Sequence, residues 1–197
     1  MEWKLLTPEE TRNVYERHLR AAFPRAELRP LSAMERLRAA GRYEPWGLTE
    51  KETLLGAAFL WLGEPGWYLC DYLCVPADRR GAGLGAELLR RMRTEKRDGV
   101  LFGEAEEPDR APDPAMARRR LAFYRRCGAR VGDYEAEVFG VRYRTVYWAD
   151  RDIPDGELAA RHAAVYRLSF TPENFRRYVR IPCRPDEPPL PQIPWEE

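Results

Sequence analysis

The sequence is poor in lysine, histidine and cysteine, and it carries almost no net charge. Three lysines (Lys4, Lys51, Lys96) stand beside 30 arginines, and 32 acidic residues leave a formal net charge of +1. A dedicated polyanion binder shows a basic excess or stripe, so this balance argues against nucleic acid as a partner. The two histidines (His18, His162) and four cysteines (Cys70, Cys74, Cys127, Cys183) form no Cys-x-x-Cys pair. Such scarcity predicts no metal, because zinc draws several of these ligands at short spacings. The longest apolar run, Leu54 to Leu62, falls well short of the ~20 residues that span a bilayer. Met1 to Leu6 has no basic stretch leading into a long apolar one, the mark of a secretory signal. The expectation is a reduced, cytoplasmic protein without a membrane or nucleic-acid partner.

What is present suits one core with an appendage: 197 residues, 44% of them apolar, with six tryptophans. Met1 to Leu6 reads as a strand. Thr7-Pro8-Glu9-Glu10 then opens a helix, with Thr as N-cap, Pro at the first helical position and Glu completing a capping box. That helix continues through Val14, Tyr15 and Leu19 and ends before Pro24. A second helix is predicted over Ser32 to Ala40. Trp46 to Leu48, Leu54 to Leu62 and Trp67 to Val75 read as strands, the last two joined by a Gly63-Glu64-Pro65-Gly66 hairpin. Leu84, Leu88, Leu89 and Met92 then mark a helix face, and Val100 to Glu106 another strand. A loop with Pro108, Pro112 and Pro114 leads into a helix ending near Arg126, with Gly128 where a cap belongs. Val131 to Gly140 and Val141 to Trp148 follow as paired strands. Beyond lie a helix near Glu157 to Leu168, a second capping signal at Thr171-Pro172-Glu173, and a tail. Six of the 17 prolines fall within 182–197, which predicts an extended, mobile tail. The fold class is α/β (α+β), a mixed, mostly antiparallel sheet flanked by helices. Residues 1–148 form its main domain and 149–181 a helical extension packed on it.

The most informative stretch is Arg80-Gly81-Ala82-Gly83-Leu84-Gly85 between a strand and a helix. Glycines allow positive φ and close backbone approach, and a helix N-terminus presents free N–H groups and a positive dipole end. Together they suit a pyrophosphate, to which Arg80 adds a charge-assisted bond. A plain tight turn without ligand is the competing reading. So is a dinucleotide fingerprint: Gly81-x-Gly83-x-x-Ala86, with Glu104 about 20 residues on. Against it, Pro76 to Arg80 separate the strand from Gly81, and the preceding strands read as an antiparallel meander. A P-loop is excluded because no Gly-Lys-Ser/Thr follows.

In Leu73-Cys74-Val75-Pro76, Arg79 to Gly85, the strand Val100 to Glu106 and Phe123-Tyr124-Arg125-Arg126-Cys127-Gly128-Ala129, the sequence resembles the GNAT superfamily of acetyl-CoA-dependent N-acetyltransferases. The resemblance is strong from Trp67 to Gly132 and thins beyond Trp148. It implies a GNAT-like sheet, acetyl-CoA as co-substrate, and an amine acceptor that is a small molecule or an exposed protein amine. It implies a coenzyme A site formed by Leu73, Cys74, Val75, Arg80, Gly81, Ala82, Gly83, Leu84 and Gly85. Val75 N–H would bond the thioester oxygen. Ala117 stands where the family often has an Asn near the pantetheine, so arginine among Arg118 to Arg120 is one substitute for that contact. A homodimer is compatible with the resemblance.

Acetyl transfer needs a neutral amine, a polarised carbonyl and a proton for the departing thiolate. Tyr124 is the candidate acid, because a phenol matches a thiolate in pKa class better than a carboxylic acid does. Asp71 is the candidate base, interrupting an apolar strand where a carboxylate needs a partner or a task. Glu104 and Glu106 share one strand face and would order a water relay or attract a cationic amine. Each has a plainer alternative: a packed Tyr, a hydrogen-bonded Asp, a charged strand. A non-catalytic acyl-CoA-binding module remains the second function class, and a dinucleotide binder the third.

Overall fold

A computed structural model describes residues 1–25 and 27–192. Two compact units emerge, one from 1–62 and 70–95, the other from 63–69 and 96–192. The strand β4 (Trp67–Cys74) runs from the second into the first. The sheet is eight-stranded and mostly antiparallel, the sheet class expected from the sequence with one strand more.

The first unit holds β1 (Glu2–Leu5), β2 (Tyr43–Glu50) and β3 (Thr53–Leu62), paired antiparallel in that order. Lys51 and Glu52, with φ of 46° and 65°, form the two-residue turn between β2 and β3. The first helix begins as its capping signal dictates: Thr7 accepts from Glu10 N–H, and the Glu10 side chain accepts from Thr7 N–H. This α1 (Pro8–Val14) passes through a π-helical turn, Tyr15–Leu19, into α2 (Arg20–Ala22). Next comes α3 (Leu31–Ala39). After β4, α4 (Leu84–Glu95) buries Leu88, Leu89 and Met92. Leu48, Leu55 and Leu88 make a small core into which Trp3, Leu73, Val75 and Leu84 pack. Both the end of β4 and the start of α4 are thereby fastened by apolar side chains.

The second unit adds β5 (Val100–Glu106), β6 (Arg130–Val138), β7 (Val141–Trp148) and β8 (Val179–Cys183), hydrogen-bonded in the order β5-β7-β6-β8. Its helices are α5 (Pro114–Arg126), α6 (Asp155–Arg167) and α7 (Pro172–Tyr178), the last capped by Thr171. The register between β5 and β7 sets Glu104 opposite Thr145. β8 is an addition to the expected elements. It pairs with β6 at the end of the sheet order, where Pro182 removes no central ladder bond. The proline-rich segment is extended but tied down, contrary to the mobile tail its composition suggested. Arg142 donates to Arg184 O and Glu187 O, both at 2.8 Å, and Arg180 donates to Pro188 O at 2.9 Å. Residues 193–197, the rest of that tail, lie outside the described residues. Among the described residues no helix is long and apolar enough to cross a membrane.

Candidate functional site

In the first unit, β4 gives way at Val75-Pro76 to a single 3-10 turn, Ala77–Arg79, and α4 starts at Leu84. Gly81 and Gly83 take φ of 85° and 77°, a region that costs other residues about 1–2 kcal/mol. A Cβ on either would meet no heavy atom within 4 Å. Conformation, not crowding, therefore demands glycine there, and a side chain at either position would enter open space. Gly81, Ala82 and Gly83 are exposed; Leu84 and Gly85 are half-buried. Leu73 and Val75 are half-buried and Cys74 is buried, with burial pushing its thiol up. Arg80, though exposed, donates Nε–H to Val75 O at 3.2 Å, clipping the turn to the strand end. The antiparallel β1-β2-β3 ladder is unlike the parallel βαβ opening that a dinucleotide fingerprint requires.

Asp71 sits on β4 in the same unit, and its carboxylate is occupied. Oδ2 accepts from Arg29 Nε at 3.2 Å and from the Tyr43 hydroxyl at 2.5 Å. Both ionic partners are sequestered, with 8% of the Arg29 and 10% of the Asp71 side chain exposed. The guanidinium also lies 4.1 Å from the Trp61 ring centroid. Burial, then the Asp71 charge, pushes the Tyr43 phenol well above its ordinary value, so it stays a donor. Tyr72 completes the cluster, accepting Arg29 N–H at 2.7 Å and donating to Glu27 O at 2.9 Å. The hydrogen-bonded reading of Asp71 describes this geometry; a base open to an amine does not.

In the second unit the two β5 carboxylates differ. Glu106 meets Arg120 Nη1 at 2.6 Å, so its charge is already compensated by the helix arginine. Arg118 pairs with Asp109 at 3.1 Å. Ala117 is fully buried, so the Asn slot of the family motif faces the interior of this unit. Glu104 has no lysine or arginine partner among the described residues. It accepts from His162 Nε2 at 2.8 Å and from the Tyr166 hydroxyl at 2.9 and 3.0 Å to its two oxygens. Its side chain remains 16% exposed. Tyr124 lies on α5, its ring edge-on to Trp148 at 5.9 Å and 5.4 Å from Phe123. Gly128, at φ 84°, ends that helix as the sequence suggested.

His162 and Tyr166 bond Glu104, and Tyr134 and Thr145 lie against His162, contacts that the sequence alone does not supply. His162 sits on α6. Its partner Glu104 is 58 positions away and becomes adjacent only through the packing of α6 on β5. The one available signal was local: His162 and Tyr166, four apart, share a helix face.

No protein-family model matches the sequence, and no curated protein does. Solved structures do. A protein of Bacteroides thetaiotaomicron assigned to the GNAT family of acetyltransferases superposes with a TM-score of 0.68 at 18% identity, over 86% of this chain and 98% of its own. An aminoglycoside 6'-N-acetyltransferase complexed with coenzyme A gives 0.60 at 13% identity, over 79% of this chain and 100% of its own. The Escherichia coli ribosomal-protein-S18-alanine N-acetyltransferase gives 0.52 at 17%, over 74% and 90%. The chain has the GNAT fold.

Proposed function

We propose that this protein is an N-acetyltransferase, moving an acetyl group from acetyl-CoA to a primary amine by direct attack in a ternary complex. The observation that carries the reading is the open turn with left-handed Gly81 and Gly83 at the start of α4, in a chain with the GNAT fold. Backbone N–H groups of that turn, with Arg80, would hold the pyrophosphate of coenzyme A. Backbone groups of Leu73 and Val75 would pair with its pantetheine arm. Acetyl-CoA supplies an activated acetyl thioester when bound. Val75 N–H would polarise the carbonyl, a contribution of roughly 2.7–4 kcal/mol for such donors elsewhere.

Of the three carboxylates weighed from the sequence, Glu104 is the base we assign. Asp71 is held by Arg29 and Tyr43, and Glu106 by Arg120. Glu104 is held by His162 and Tyr166 and by no arginine or lysine among the described residues, which leaves its charge to attract an ammonium and accept its proton. Tyr124 then donates a proton to the leaving thiolate. A fixed anion at the acceptor favours a small cationic amine over a protein amine. The neighbours' names cover both substrate kinds, an aminoglycoside and a protein alanine. The second reading, a module that binds acyl-CoA without turnover, needs the glycine turn but not Glu104 or Tyr124.

Calorimetry with acetyl-CoA and with NAD, followed by a thiol-release assay over a panel of diamines and N-terminal peptides, tests the proposal. Binding of acetyl-CoA with amine-dependent thiol release is expected. Binding without release supports the non-catalytic module, and binding of NAD alone refutes both.

A further inference from the structure

We propose that His162 is a positioning residue for Glu104: a neutral imidazole, protonated on Nε2, that fixes the carboxylate for proton transfer from the acceptor ammonium. This rests on the acetyl-transfer reading. His162 is fully buried, and its Nε2 lies 2.8 Å from Glu104 Oε1. An ionised carboxylate only accepts, so Nε2 carries its hydrogen. In a neutral ring Nδ1 is then an acceptor, and it needs a donor because a buried polar atom left unpaired is costly. Two hydroxyls supply candidates, Tyr134 and Thr145, each 3.3 Å from Nδ1. With Nε2–H on Glu104, a hydroxyl of Tyr134 or Thr145 donating to Nδ1 satisfies both nitrogens of the ring. Burial pushes the Tyr134 phenol up, so it keeps its proton and can donate.

Tyr166 adds a second donor to the carboxylate from one helical turn further along α6. Two donors from one rigid helix fix both the position and the plane of Glu104. The titratable and charged groups facing the imidazole are Glu104 on β5, Tyr134 on β6 and Tyr166 on α6. Asp155 acts on Tyr134 from the start of α6, while its Oδ1 accepts from Asp133 N–H at 2.9 Å. Phe102 closes the remaining side, its ring 5.4 Å from the imidazole. No guanidinium or ammonium faces Glu104 among the described residues. The base is therefore oriented without being neutralised. In the step, an acceptor N–H bond breaks, its electron pair stays on nitrogen, and the proton passes to a Glu104 oxygen and then to solvent. The His162 hydrogen bond remains in place throughout.

The chain has only two histidines, so the spectrum of ¹⁵N-histidine-labelled protein contains two rings, and His18→Asn leaves one. A neutral Nε2–H tautomer for His162 across the active pH range is expected. An Nδ1–H tautomer, or a doubly protonated ring in that range, overturns the proposal. Tyr166→Phe removes one donor with almost no change of volume. It is expected to lower kcat about tenfold, leave acetyl-CoA affinity unchanged, and move the acid limb of the kcat/KM profile to higher pH, because a carboxylate stripped of a donor binds protons more readily. His162→Phe should lose more, and His162→Gln, whose amide can still donate to Glu104, should recover part of the rate. If these variants alter only thermal stability, with wild-type kcat and pH profile, His162 is structural and the proposal fails. Wild-type protein that binds acetyl-CoA yet turns over no amine instead refutes the acetyl-transfer reading beneath it.

Discussion

Leu190 donates its backbone N–H to Glu137 Oε1 at 2.7 Å, and Glu137 is fully buried. The same carboxylate takes Arg142 at 3.2 Å and Arg180 at 3.3 Å. A single side chain on β6 thus fastens β7, β8 and the proline-rich segment together. Removing one partner of a buried ionic cluster leaves the others desolvated and uncompensated, at a cost of about 3–5 kcal/mol. Glu137→Ala is expected to lower the urea midpoint accordingly and to open residues 184–190 to limited proteolysis. A midpoint shift without new cleavage would mean that the segment is held by other bonds.

Asp71→Asn separates a structural carboxylate from a catalytic one. Arg29 would keep its buried charge and lose its counter-ion, so a loss of about 3–5 kcal/mol is expected, read by denaturant titration. Thiol release per folded molecule should stay near wild type. Glu104→Gln should do the reverse in kinetics, lowering kcat by about 10²–10⁴. Equal losses of turnover in both variants would return Asp71 to the chemistry.

What could be read from the sequence was local. The capping box at Thr7 and Glu10, the glycines at 81 and 83 and the cap at Gly128 each depend on a few adjacent residues, and each forms as its chemistry dictates. Apolar runs bounded by turn signals were enough for seven strands. β8 escaped because a strand at the end of the sheet order tolerates Pro182, and its prolines read as tail. The pairing of Asp71 with Arg29 and of Glu104 with His162 escaped for another reason. Those contacts span 42 and 58 positions, and no spacing rule links residues that meet only when helices dock on strands. From the sequence Asp71 is the candidate base and Glu104 a relay or amine-attracting group; the partners show Asp71 paired with Arg29 and Glu104 without an arginine or lysine among the described residues.

Gly83→Ala tests the turn that carries the functional reading. The added methyl has room, since nothing lies within 4 Å of it, but φ of 77° strains an alanine by about 1–2 kcal/mol. Relaxation of that strain turns the N–H groups of the turn away from a common centre. Acetyl-CoA affinity measured by calorimetry should fall about five- to thirty-fold, with little change in Tm. Loss of Tm at unchanged affinity would make the glycine purely architectural.

Tyr124→Phe keeps the ring against Phe123 and Trp148 and removes only the hydroxyl. Acetyl-CoA should bind as before, while kcat falls about 10²–10⁴-fold, the range for a lost general acid. An acyl donor with a more acidic leaving thiol should narrow the gap, since its thiolate departs without needing the proton. Unchanged thiol release from acetyl-CoA would remove the acid role.

Glu87, in the first turn of α4, gives an acid-side signature of the helix that opens at the glycine turn. Hydrogen bonds from Arg90 first, then Arg91, bring its carboxyl from 4.5 to about 2. The charged form is thus favoured by folding. Its contribution is complete above the unfolded value and disappears as pH falls through the folded one, between about 4.5 and 2. Arg90, the larger contributor, is mostly exposed, so solvent and salt screen its bond to Glu87, while Arg91 is more sheltered. Glu87→Gln should lower Tm at pH 7 by about 1–3 °C. That difference should shrink as pH drops from 4.5 towards 2, and shrink also in high salt. A difference that persists at pH 2 would assign the effect of Glu87 to packing at the start of α4, where charge at the helix N-terminus would no longer explain it.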